Sequence, residues 1–78
     1  MTPARFSQIG ELLYGPSWRA ALAAALNVGE RTVRRWAAGD HRIPDGIAGD
    51  LAGLCRERSA RLMKAAEELD HQTNGENR

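Results

Sequence analysis

Cys55 is the only cysteine in this chain, so no internal disulfide can form. The two histidines, His41 and His71, stand thirty positions apart with no cysteine near either, and this excludes a four-ligand zinc site. A lone thiol suits a reducing compartment. No apolar run approaches the roughly 20 residues of a membrane span or the shorter core of a signal peptide, so neither membrane nor export is expected. A nucleophile beside a base, a carboxylate pair and a glycine-rich phosphate loop are all missing, which argues against an enzyme and against a bound cofactor. Nor does any motif call for a small-molecule ligand. Prolines number three and aromatics four, few enough that each can be given a place.

Seventy-eight residues make one domain with a modest core. Domains this small often lean on disulfides, metals or a partner chain. With the first two excluded, self-association is the expected support. Net charge is only +1, but it is unevenly spread. Residues 1–39 carry five Arg against two acidic residues, +3, whereas residues 40–70 carry five bases against seven acids, −2. Such polarity suits a protein that presents one basic face to a polyanion.

Apolar spacing and breakers predict helices throughout. Phe6, Ile9 and Leu13, flanked by Leu12 and Tyr14, place a first helix at about Pro3 to Tyr14, after a leader, Met1–Arg5, expected to fray. Gly15-Pro16 ends it, and a second helix begins at Pro16 or Ser17 and runs through Leu26. Trp18 lies four residues before Leu22 and so belongs to the core face. Asn27-Val28-Gly29 interrupts the alanine-rich run, with Val28 as an apolar plug in a sharp corner. A third helix starts near Glu30, whose carboxylate favours the positive end of the helix dipole, and ends at about Ala38 before Gly39. Val33, Trp36 and Ala37 form its apolar stripe. Arg31, Arg34 and Arg35 lie together on the opposite side. Arginine carries a planar fork that grips phosphates and guanine edges at two points.

The stretch from Arg19 to about Ala38 resembles the helix-turn-helix of Cro- and lambda-repressor-type (XRE-like) regulators of bacteria and phages. Ala23, following apolar Leu22, matches the small residue needed where the two helices touch, and Leu26, Val28, Val33 and Trp36 match the other core positions. Asn27 stands where the family usually has Gly, and Gly29 where it often has a Ser or Thr cap. The resemblance implies an all-α, lambda-repressor-like domain of four or five helices, with the third helix in the major groove of double-stranded DNA. Carried over, the base-contacting positions are Gly29, Glu30, Arg31, Arg34 and Arg35, with Thr32 beside them. Arg19 matches a position that touches a phosphate or a base. The setting this implies is the cytoplasm of a bacterial or phage-infected cell, at the nucleoid. Small Ala- and Arg-rich regulators of phages and mobile elements, anti-CRISPR-associated autoregulators among them, look similar.

Beyond Gly39, Asp40-His41-Arg42 reads as a polar loop in which Arg42 either reaches a phosphate or is simply solvated. Ile43 returns to the core, and Pro44-Asp45 opens a long final helix to about Asp70. Gly46, Gly49 and Gly53 are its weak points, and a break near Glu57–Ser59 would make a fifth helix. Ile47, Leu51 and Leu54 should cover the first three helices, with Cys55 as a small buried apolar residue. Leu51, Cys55, Arg58, Leu62, Ala65 and Leu69 recur at alternating steps of four and three, a coiled-coil-like seam. Of these, Arg58, Leu62, Ala65 and Leu69 are the expected dimer interface; the alternative is a helix that bends back over the first one. Residues 1–70 thus form the domain, and 71–78, without an apolar residue, a disordered tail.

The function expected is that of a homodimeric, sequence-specific DNA-binding repressor of a palindromic operator. Two other readings compete with it. An antitoxin-like module would use its C-terminal helix on a protein partner and DNA secondarily. An excisionase or MerR-like module would require a β-wing after the corner.

Overall fold

Thr2 sets the start of the first helix, α1, Pro3–Tyr14. Its Oγ1 accepts a hydrogen bond from the Arg5 amide at 3.1 Å, and Pro3 occupies the first turn, where a missing N–H costs nothing. The expected fraying of the leader is therefore corrected: a capped turn closes it. Three more helices follow in the computed structural model, which describes the backbone of residues 1–76 and side chains through Gln72: α2 Trp18–Leu26, α3 Glu30–Ala38 and α4 Gly46–Glu76. The described residues are all helical, with no strand among them.

Two ends use the same device. Asn27, at φ 58° and ψ 44°, takes the left-handed conformation after α2, and the Val28 amide donates back to the Ala23 carbonyl at 3.0 Å. Gly39, at φ 82°, does likewise after α3, and the Asp40 amide donates to the Arg35 carbonyl at 3.0 Å. Both are the six-to-one closure that satisfies otherwise orphaned carbonyls. Asparagine is among the few non-glycine residues that enter this region readily, so it serves where glycine might be expected.

The core is an aromatic stack wrapped in aliphatics. Phe6, fully buried, sits edge-to-face against Trp18 (centroids 5.7 Å apart, planes at 77°) and against Trp36 (5.8 Å, 86°). Phe6 comes from α1, Trp18 from α2 and Trp36 from α3, so one side chain ties three helices together. Leu13, Leu22, Ala23 and Val33 are buried around them, and Ile43, Ile47 and Leu51 close the cluster from the loop and α4. Ile9, Leu54 and Cys55 are only half-buried against it.

Gly10 is also buried, and sequence periodicity did not show why. A Cβ there would run into the Trp18 indole, with Cδ2 only 2.6 Å away. The missing side chain lets α1 lie directly on the ring. Gly10→Ala would gain about 1 kcal/mol of helix propensity. It would overpack a Trp that cannot retreat, and overpacking costs roughly 1–3 kcal/mol or more. We expect a net loss of stability in urea titration. A Gly10→Ala protein more stable than wild type would mean that Trp18 does not seat on α1.

α4 departs from expectation at both ends and in the middle. It begins at Gly46 rather than Pro44, with the Ile47 amide donating to the Pro44 carbonyl at 3.1 Å in a preceding turn. It runs unbroken past Glu57–Ser59, so the described residues form no fifth helix. It also continues beyond Asp70, through His71 to Glu76, where a non-helical tail was expected; residues 77–78 lie outside the described residues. Rather than bending back over α1, its distal part projects, which gives the chain extents of 57 × 22 × 20 Å. No described side chain from Arg56 to Gln72 is buried. No helix among the described residues is long and apolar enough to cross a membrane.

Candidate nucleic-acid interface

The α2–α3 corner is held from inside. Leu22, Ala23, Val33 and Trp36 are buried, and Leu26, Val28 and Ala37 pack half-buried against them. Ala23, 4% exposed, lies in the stretch where a larger side chain would push the two helices apart. Gly29 caps α3 with extended backbone, φ −72° and ψ 148°, and its carbonyl accepts from the Thr32 and Val33 amides at 3.1 and 3.2 Å. It makes no side-chain cap, so the first amides of α3 stay free to meet an anion from solvent.

The inward anchoring of Val33 and Trp36 turns Arg31, Arg34 and Arg35 to solvent, and all three are exposed. Arg34 bonds Glu30, one turn earlier, at 2.7 Å. Arg31 and Arg35 have no acidic partner within ion-pair distance among the described residues. They also stand four apart on the same face, where two like charges cost an isolated helix about 0.2–0.5 kcal/mol. Folding alone does not favour that pairing, whereas a polyanionic ligand would relieve it.

The return loop brings Arg42 to this face. Thr32, Arg35, Trp36, His41 and Arg42 line a shallow cleft of about 190 Å³ beside α3. Arg42 makes a long 3.4 Å contact to Asp45, but both side chains are almost fully exposed, so the contact is easily exchanged. Thr32, half-buried, forms part of the cleft wall. Sequence reading found Arg35 and Arg42 separately; their meeting across one cleft depends on where Ile43 pulls the loop into the core. His41, from the same polar loop, belongs to the cleft too.

Arg19 is not among these cleft residues. Its guanidinium lies over the Trp18 ring, 4.9 Å from the centroid, a cation–π contact that steadies an exposed side chain. Of the expected dimer residues, Arg58 sits over the Tyr14 ring of its own chain at 5.5 Å. Leu62 and Leu69 are 62% and 60% exposed, and Ala65 is exposed between them. Leu12 and Met63, 78% and 63% exposed, extend that apolar surface and were not singled out from the sequence. Leu12 adjoins Leu13 on α1, and helical geometry lets only one of two neighbours face the core.

No group of His, Cys, Asp and Glu able to hold a metal occurs among the described residues. Compared with known proteins, the chain matches no family model, no curated protein and no solved structure.

Proposed function

We propose that this chain is a sequence-specific double-stranded DNA-binding regulator, a cytoplasmic homodimeric repressor of a palindromic operator, with α3 as its reading helix. The observation that carries this reading is the two-sided α3: buried Val33 and Trp36 inward, exposed Arg31, Arg34 and Arg35 outward. The resemblance of residues 19–38 to the helix-turn-helix of Cro- and lambda-repressor-type regulators supports it. In this reading α3 enters the major groove by its N-terminal end, with Gly29, Glu30, Arg31, Arg34 and Arg35 toward the base edges and the arginines also within reach of phosphates. Thr32 and Arg42 flank the groove wall. A palindromic site requires the two copies of α3 to stand about 34 Å, one helical turn, apart.

Capture of genomic DNA fragments by the purified protein, followed by sequencing, tests the reading. Enrichment of one palindromic sequence supports it, and uniform recovery of all fragments refutes it. Arg19→Ala and Arg42→Ala refine it. As phosphate contacts, each should weaken binding to every sequence alike and lower the salt slope by about one unit. A changed sequence preference at constant slope would instead make that residue a base reader.

An antitoxin-like reading draws on the exposed apolar residues of distal α4, Leu62, Met63 and Leu69, which a protein partner could also cover. A neighbouring toxin gene and a co-purifying partner would favour it over the repressor. An excisionase or MerR-like module fits less well, because no strand follows α3 among the described residues.

A further inference from the structure

The distal half of α4 is divided by charge. Residues 56–64 hold Arg56, Arg58, Arg61 and Lys64 against Glu57 alone, +3, and residues 67–70 hold Glu67, Glu68 and Asp70, −3. Between and beside the charges run Leu62, Ala65, Ala66 and Leu69. An open apolar groove of about 420 Å³ lies at the basic end, between α1 and α4, lined by Leu12, Cys55, Arg58, Ser59, Leu62 and Met63 among others. Its lining is mostly apolar and open to solvent, so an apolar side chain seated there removes apolar surface from water.

We propose that this segment pairs antiparallel with the same segment of a second copy, with Leu69 of each chain filling the groove beside Leu12 of the other. The proposal rests on the self-association in the reading above and not on its DNA contacts.

Two independent features select the same register. Matching the charge blocks sets Asp70 of one copy level with Arg58 of the other, and Glu68 within one residue, about 1.5 Å, of Arg61. That alignment carries Leu69 to the level of Ser59, the middle of the groove's α4 wall. It also places Leu62 opposite Ala66 of the second copy, a large residue against a small one, so the helices can approach closely. Arg61 is held within its own chain only by a 3.7 Å contact to an exposed Glu57, too weak to resist a new partner.

Parallel pairing is disfavoured on the same grounds. It would bring the seam residue Arg58 level with its own copy, and Glu67 and Glu68 each level with their own copies, concentrating like charges at both ends. It would also take Leu69 out of the groove, about 15 Å further along, ten residues at 1.5 Å each. A two-fold axis perpendicular to the helices satisfies both grooves and both charge blocks at once, as an isologous contact must.

Cysteine pairing tests this in a Cys55→Ser background, using substitutions at exposed positions. Ser59→Cys combined with Leu69→Cys should give a covalent dimer on mild oxidation, while each alone stays uncrosslinked. The two sites cannot pair within one chain, since a disulfide needs its Cα atoms within about 7 Å. Covalent dimer from Leu69→Cys alone, at the yield of the pair, would mean parallel helices and overturn the proposal. Failure of the mixed crosslink would overturn it as well. Charge reversal keeps Leu69 in place: Arg61→Glu should weaken dimerisation about fivefold and added Glu68→Arg should restore it. A second substitution that weakens the dimer further would also count against this register. Neither measurement involves DNA, so α3 can fail as a reader while the crosslink forms, and the reverse.

Discussion

Trp36→Ala is expected to unfold most readily of all single substitutions in α3, with a melting temperature roughly 12–40 °C below wild type. The figure follows from a cost of about 3–5 kcal/mol for truncating a buried aromatic, at roughly 4–8 °C per kcal/mol in a domain of this size. Total stability for such a chain is itself only on the order of 4–12 kcal/mol. Trp36 is 6% exposed, and its ring holds one side of Phe6 while Trp18 holds the other. Removing it opens a void where three helices meet and leaves Val33 as the only buried residue of α3. Thermal unfolding followed by circular dichroism measures the effect. A variant that melts within a few degrees of wild type would mean that α3 docks through a different face, and the outward assignment of the arginines would fall with it.

Arg34→Ala and Arg35→Ala should act in the opposite way, sparing the fold and removing specific DNA binding. Neither side chain is buried. Arg35→Ala removes a like-charge neighbour of Arg31, so its melting temperature should match or slightly exceed that of wild type. Arg34→Ala loses the 2.7 Å pair with Glu30, an exposed interaction worth about 0.3–0.5 kcal/mol in a helix. Against those small changes, a bidentate base contact is worth about 1–3 kcal/mol of discrimination, or roughly 5- to 150-fold in affinity. The double variant should bind operator and random DNA alike. If both single variants bind a captured operator as tightly as wild type, α3 is not the reader. Because Trp36→Ala disturbs the same helix through folding, only the pair of experiments separates recognition from stability.

Much of the helical layout was legible in the amino-acid order. Pro3 and Tyr14, and Glu30 and Ala38, bound α1 and α3 as local chemistry predicts, because proline, glycine and asparagine act within a turn or two of where they stand. Trp18, Leu22, Val33 and Trp36 were assignable to the core by spacing alone, and the outward arginines by their opposite phase. The continuation of α4 past Asp70 was not. Polar composition indicates that a segment has no core to join, and a helix needs no core to continue its own hydrogen-bond ladder. The unbroken passage through Glu57–Ser59 has the same cause: Gly46, Gly49 and Gly53 lie in the first turns of α4, before this stretch, and residues 56–69 are good helix formers.

Sequence by itself thus determined what each helix hides and shows, since burial of apolar side chains at helical spacing is a local property of the chain. Tertiary structure alone decided which distant groups meet. Gly10 reads as a helix weakness until Trp18 is seen against it. Arg42 reads as a loop residue until Ile43, buried, draws it beside Arg35. Leu12 reads as a flank until it is seen to wall the groove with Met63 on α4. Each of these depends on how helices cross and how loops are pulled taut, and those are set by the joint packing of Phe6 with two tryptophans from other helices. No single segment contains that information, because a packing angle belongs to the pair of surfaces that make it.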